Sequence, residues 1–424
     1  MADHKISRET FIKGAGIGTV AAASVGFPAF IPSRGEAADV LRIGLVEEYT
    51  GVFAAYAVSE TRGAEMALEA WNKRGGVMGR QVQLVKEDCQ NDPGVTVQKV
   101  RKLINQDKVA AVMGTINSAD SLSASNAANS LGTLFMDSGG HTDDVTGKDC
   151  HWSTFRTCHS TWMETHATGY AIANKFGKKW YLITPDYAFG HALARGYEDV
   201  IKKIGGTIVG NDLTPVGTTD FSPYLTKVAA AKPDCLIVLP QGADFVNCLK
   251  QANSFGLLKK IPAAGPQVEL EAIWSLPEAA RVGYWGVEWY YKGDKVFGKS
   301  NPMAEAFVSQ YRKSHGEPPT ARSCFGYVTL DRMLWAMNEA KSVDPVKVAK
   351  KLENARFHSM WEGEAYYRGA DHQLMWPMWF ASIRGKGTPQ DKYDVFDVLD
   401  SQPADKIEQS VAEKAKVCHI AYPA

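Results

Sequence analysis

The sequence predicts an α/β protein of two tandem doubly wound lobes, and three observations carry that expectation. Short apolar runs alternate with amphipathic helical stretches in two successive series, the pattern that builds parallel sheets with helices on their faces. The runs end in loops of glycine, proline and hydroxyl residues, and open α/β sheets bind ligands at that carboxyl rim. Three helical stretches without intervening strands follow the second series and must cover the first.

The opening unit sets the pattern. Leu41, Ile43 and Leu45 alternate, the period of a strand with one face in a core. Ala64, Ala67, Leu68 and Trp71 then give 63–73 one apolar helical face, and Gly75-Gly76 stops it. A second strand carries Val82 and Leu84, so the loop holding Tyr49, Gly51, Phe53 and Tyr56 lies at the carboxyl end of the first strand. Val97, Val100, Leu103 and Ile104 share a helix face over 95–106. The continuously apolar run 109–113, as expected of a strand covered on both sides, ends in Gly114-Thr-Ile-Asn-Ser118. A helix with Ala124, Ala127, Ala128 and Leu131 leads to a strand over 133–136, which ends in Asp137-Ser-Gly-Gly-His-Thr142.

The second series repeats this logic. Strands at 180–184, 207–211, 235–239 and around Ala263 alternate with helices at 192–204, 220–231 and 245–255. Rim loops follow at 185–190, 240–242 and 265–269. An aromatic extended run covers 282–291, helices are expected over 302–314, 323–341 and 345–353, and strands return at 363–367 and 375–384. The expected division is an export segment over 1–38, a first lobe from 39–157 and 290–358, and a second from 158–289 and 359–424. The chain would then cross between lobes three times.

Charge and cysteine content bound the function. The 424 residues include 47 Lys+Arg and 47 Asp+Glu, which leaves no charge field for nucleic acid. Lys5, Arg8 and Lys13 precede an uncharged run over 14–32, with small residues at 35–38 for cleavage; this reads as an export signal. It resembles the twin-arginine type, with Glu9 where the second arginine belongs. An uncleaved anchor is the alternative, opposed by Pro28 and Pro32. Seven cysteines are present. Cys150 and Cys158 flank an extended segment that a local disulfide would close in an oxidising compartment.

Ile43-Gly44, the Thr50-Gly51 loop, the run 63–79 ending Asn72-Lys-Arg-Gly-Gly-Val-Met-Gly79, and 88–93 together resemble the leucine/isoleucine/valine-binding proteins, type I periplasmic solute-binding proteins of ABC importers. The likeness continues through 114–118, 186–190, Asp220-Phe-Ser222 and Gly265-Pro266. It implies the type I periplasmic-binding-protein fold: two Rossmann-like lobes, joined by three hinge crossovers, that close on a small organic solute. It implies no catalytic machinery, a periplasmic location, and a permease with ATPase subunits as partners.

By motif, the resemblance places a ligand carboxylate in the first lobe against Ser118 and the Gly139-Gly140-His141 turn, with Asn117 and Thr142 adjacent. Main-chain N–H groups at helix starts and glycines that permit close approach make such an anion site; the same residues otherwise serve as caps and turns. His141 either donates to the anion or caps a helix. In the second lobe Tyr187 and Phe189 supply aromatics, Gln241 ends a strand, and Gln267 stands where the family places an acid, with Glu269 two residues later. An amino-acid ammonium would then lack its charged partner, which favours a non-amino carboxylate, an aromatic acid or an amide. Tyr49, Tyr56 and Trp289 would wall the ligand or belong to the core.

Other chemistries fare worse. Gly14-Ala-Gly-Ile-Gly18 follows no strand, so it is no dinucleotide fingerprint. Asp137-Ser-Gly-Gly140 lies in a parallel-sheet setting foreign to the serine-protease motif it resembles. The ten histidines show no metal spacing, and neither a metal nor a cofactor is expected. An exported sensor of the same fold is the alternative function, and a hydrolase would need a nucleophile that the sequence does not supply.

Overall fold

The computed structural model describes residues 40–423, so the expected export segment lies outside the described residues. Strand β1 (Leu41–Glu47), helix α1 (Ala54–Lys73), β2 (Val82–Asp88), α2 (Pro93–Asn105), β3 (Ala111–Gly114), α3 (Ser118–Ser130), β4 (Leu134–Asp137) and β5 (Thr154–Arg156) open the chain. The five strands form a parallel sheet ordered β2-β1-β3-β4-β5. The period-two alternation of β1 sorts its side chains. Leu41, Ile43 and Leu45 pack with Ala64, Ala67 and Trp71 of α1, whereas Val46 packs with Val100 and Leu103 of α2 on the other face.

The second lobe runs through α4 (Thr161–Phe176), β6 (Lys179–Pro185), α5 (Ala188–Lys203), β7 (Thr207–Thr214), α6 (Ser222–Ala231), β8 (Cys235–Val238), α7 (Gly242–Ser254), β9 (Ala263–Gly265), α8 (Leu270–Ser275) and β10 (Tyr284–Val287). The chain then makes α9 (Asp294–Phe297), α10 (Pro302–His315), α11 (Ala321–Ala340) and α12 (Pro345–Leu352), and an antiparallel sheet of β11 (Phe357–Ser359), β12 (Trp361–Tyr367) and β13 (Leu374–Met375). It returns as β14 (Met378–Ile383) and β15 (Phe396–Gln402), antiparallel additions to the β10 edge. The resulting order is β15-β14-β10-β9-β8-β6-β7. Crossings between the two large sheets lie after β5, after β10 and after α12, the type I periplasmic-binding-protein arrangement.

Helix α11 packs on α1, as its place in the chain requires. Gly63 and Gly326 let the backbones touch: a Cβ at Gly63 would fall 1.8 Å from the Ser323 carbonyl oxygen, and one at Gly326 would fall 2.0 Å from that of Glu60. Trp71 donates to Asp331 at 2.9 Å across the same contact. A capping box in which Thr320 and Ser323 reciprocate starts α11.

The disulfide differs from the sequence expectation. Cys150 bonds Cys418, with Cα atoms 5.7 Å apart, and Cys158 is a free, buried thiol. Strand β5 runs between Cys150 and Cys158, and an extended chain advances about 3.3 Å per residue, which carries Cys158 into the core and away from Cys150. The bridge instead ties the loop before β5 to the C-terminal segment.

Candidate functional site

The close crossing of α1 and α11 fixes two charged side chains side by side. Glu60 occupies the buried face of α1, four residues from both Tyr56 and Ala64, and Arg322 enters at the second residue of α11. Both are buried. The Arg322 guanidinium donates through Nε to Glu269 Oε1 of the second lobe at 2.6 Å and through Nη1 to the Gly139 carbonyl at 3.3 Å. Glu60 Oε2 lies 3.8 Å from Nη1. A Cβ on Gly139 would sit 2.4 Å from that nitrogen, so the glycine is what admits the guanidinium.

Carboxyl groups crowd around this cation. Glu47 ends β1 against Glu60, and burial first, then the Glu60 and Glu48 charges, push its carboxyl well up. Burial likewise raises Glu60 to about 7 and Glu269 to about 8, against the opposing pull of Arg322. Glu164 of α4 is raised by burial and by Glu288. Glu47, Glu60 and Ser138 lie within electrostatic reach of one another, yet none of their side-chain oxygens makes a hydrogen bond of normal geometry.

A second set of contacts spans the hinge. Glu288, just past β10, accepts at Oε1 from the backbone N–H of His159 at 3.1 Å and faces His159 Nδ1 at 3.0 Å. Its Oε2 lies 3.0 Å from His141 Nε2. His159 Nε2 in turn faces the Pro377 carbonyl at 3.0 Å. One residue from each crossing therefore meets at this point. Burial depresses the His141 imidazole to about 3. Burial opposes ionisation of Glu288, but the two imidazoles outweigh it and hold the carboxyl below its ordinary range.

The lobes touch over the cluster. Tyr56 Oη accepts from the Gly242 N–H at 2.9 Å, and the Ala243 N–H donates to the Val52 carbonyl at 3.3 Å. Outside that contact a cavity of about 280 Å³ is lined by Val52, Tyr56, Gly242, Asn247 and Glu271. Tyr187 bridges the lobes, its ring 6.5 Å from Phe53 and 5.8 Å from Phe189. His141 packs edge-on against Phe189 and Phe325.

Residues 40–388 match the family model described as Periplasmic binding protein. The chain belongs to that family. It is 28% identical over 333 residues to a Leu/Ile/Val-binding protein homologue of Brucella suis, covering 74% of this chain and 80% of the relative. It is 26% identical to the amino acid ABC transporter substrate-binding protein of Pseudomonas fluorescens, with a TM-score of 0.81 over 91% of this chain and 100% of that one. A solute-binding protein of Rhodopseudomonas palustris solved with benzoate shares the fold at 21% identity, with a TM-score of 0.76 over 86% of this chain and 97% of that one.

Against this periplasmic-binding-protein frame, the residues singled out in the sequence fall into three groups. Tyr56, Gly139, His141, Tyr187 and Phe189 meet in or beside the Arg322 cluster. Gln241 and Gln267 stand at the ends of β8 and β9, buried, with neither amide atom partnered. Others are engaged elsewhere. Asn117 caps α3 through the Ala119 N–H and donates to Asn91. Ser118 Oγ accepts from the Thr142 N–H at 3.1 Å, and the Gly140 N–H donates to Asp137 at 2.8 Å, so two N–H groups of the expected anion turn are bonded internally. Tyr49 shares its hydroxyl with Thr61 at 2.7 Å. Trp289 does not reach the cluster: its indole donates to the Met360 carbonyl at 2.6 Å among Phe297 and Phe307.

Sequence reasoning passed over Arg322, Glu47, Glu60, Glu164 and Glu288. Glu60 carried a signal, since the apolar spacing of α1 places it on the core face. Arg322 carried none, because its neighbour Glu269 lies 53 residues away. His141, Glu164 and Glu288 each offer a ligand atom within 4.8 Å of one another, as do Glu48, Cys89 and Asp120. In the second trio Glu48 already accepts from the Ile116 and Asn117 N–H groups at 2.9 Å.

Proposed function

We propose that this chain is the extracytoplasmic solute-binding component of an ABC importer. It captures a small organic solute between its lobes and presents the closed form to a membrane permease driven by partner ATPases. The carrying observation is the interlobe cluster itself. Glu60, Glu164, Gln241, Gln267 and Glu269 are buried from both lobes with polar atoms that the protein leaves unpartnered. Burying unpaired polar groups costs roughly 1–3 kcal/mol each, a cost that a bound solute offsets by supplying their hydrogen bonds. Family membership and the names of the relatives support the importer role. The leader read over 1–38 supports a periplasmic location, and no helix among the described residues is long and apolar enough to cross a membrane. Binding and closure, with no chemical step, account for the cluster.

The site residues of this reading are Tyr56, Gly139, His141, Tyr187, Phe189, Gln241 and Gln267, joined by Glu60, Glu164, Glu269 and Arg322. Closure is a population shift toward the state in which solute touches both lobes. A thermal-shift screen of amino acids, aromatic acids, amides and sugars tests it. One chemical class is expected to raise the melting midpoint of the wild type and to lose that effect in Tyr187→Ala. A screen in which nothing stabilises the protein would contradict the assignment.

A further inference from the structure

The inventory of unpartnered groups in the cleft is lopsided. Both carboxylate oxygens of Glu47, Glu60 and Glu164 lack hydrogen-bond partners, although Glu60 stands 3.8 Å from Arg322 and Glu164 3.8 Å from His141, and so do Oε2 of Glu269 and the amide oxygens of Gln241 and Gln267. The buried donors without partners near the cleft are fewer: the amide nitrogens of the same two glutamines, the hydroxyls of Ser138 and Thr142 and, nearer the hinge, the indole N–H groups of Trp361 and Trp376. The cations are already engaged. Arg322 is divided between Glu269, the Gly139 carbonyl and Glu60. Arg156 spends its guanidinium on the carbonyls of Gly140, His141 and Thr142, on Thr146 and on Gln373.

We infer that the cleft takes a planar solute head rich in N–H donors, of the urea, amide or amidine class, in preference to a carboxylate. The inference rests on reading the cleft as the solute site. A carboxylate placed here would add acceptors to a space already crowded with them, beside an Arg322 that Glu269 and Glu60 already share, and could be held only while Glu60, Glu164 and Glu269 keep their protons. A planar N–H group instead donates in several directions within one plane and supplies what these oxygens lack. The walls suit a flat group as well, since Tyr187, Phe189, His141 and Phe325 pack their rings at centroid distances of 5.8 to 6.2 Å along the cluster. Burial holds Glu60 and Glu269 near neutrality. They can therefore remain protonated beside a neutral urea or amide and ionise against an amidinium.

Isothermal titration of the mature protein at pH 7.5 with urea, acetamide and acetamidinium, set against benzoate and leucine, tests the class. At least one N–H probe should bind while benzoate and leucine do not. Glu164→Gln, which turns one unpartnered acceptor into a donor, should weaken that probe tenfold or more with the circular-dichroism spectrum unchanged. Binding of benzoate or leucine without any N–H probe would overturn the class and leave the receptor reading standing. No binding by any of the five would also overturn the class, and the broader thermal-shift screen would then decide the receptor reading separately. An N–H probe whose affinity is untouched by Glu164→Gln would overturn the role given to the acceptors.

Discussion

Arg322 is the residue on which the interlobe cluster turns. It is 2% exposed, and its guanidinium is the nearest cation to Glu60 and Glu269. Arg322→Ala would leave those carboxyls buried without compensation, and breaking a buried pair costs about 3–5 kcal/mol. Urea denaturation should show a loss of that order, smaller for Arg322→Gln, which keeps some hydrogen bonding. The same carboxyls set a pH dependence. Burial raises Glu60 to about 7 and Glu269 to about 8, so the folded protein holds protons that the unfolded chain releases at ordinary carboxylate values. Their stabilising contribution is complete below those values and is lost as pH rises through 7 to 8. The midpoint of the solute-free protein should therefore fall between pH 6 and pH 9. Glu288 runs the other way: its depressed carboxyl contributes stability above the ordinary value and loses it only in acid.

At the scale of elements, the crossing of α1 and α11 positions the charged pair, and two glycines permit it. Gly63→Ala would drive a methyl into the Ser323 carbonyl and force the helices apart. Overpacking of this kind costs about 1–3 kcal/mol, and here it would also separate Glu60 from Arg322. Chemical denaturation and calorimetry together should show loss of both stability and affinity. This level was partly legible in the sequence. The strands β1, β3, β4, β6 and β8 and the helices α10 to α12 follow from apolar period and length, because their packing faces are written locally. Strand β15 was missed, since Asp397, Asp400 and Ser401 interrupt its pattern and it lies on a sheet edge with mostly exposed side chains. The pairing of Cys150 with Cys418 was also illegible, being set by a separation of 268 residues. Cys150→Ser with Cys418→Ser should lower stability by on the order of 2–4 kcal/mol, and the C-terminal segment should become the first site of proteolysis.

Across the whole molecule, the proposed site is a property of three crossings and two rims. Glu288, His159 and Pro377 come from different crossings and are joined through the His159 ring, which faces the Glu288 carboxylate on one side and the Pro377 carbonyl on the other. Gly242 of the second lobe, at φ +60°, presses on Val52 and Tyr56 of the first; a Cβ there would lie 2.3 Å from the Val52 carbonyl. Gly242→Val should hold the lobes apart, and small-angle scattering should show a larger radius of gyration for the variant in the presence of solute. The sequence made the rim loops visible through their glycines and hydroxyls. It did not reveal which rim side chains converge, because convergence depends on how one lobe closes on the other. Glu269 and Arg322 acquire their roles only from that geometry. The most direct test is a crystal structure of protein purified without denaturation, so that captured solute is retained. We predict electron density for a small molecule bounded by Arg322, Glu60, Glu164, Glu269, Gln267 and Tyr187, with both lobes in contact with it. A solute bound elsewhere on a closed protein, with this cluster holding only water, would contradict the account.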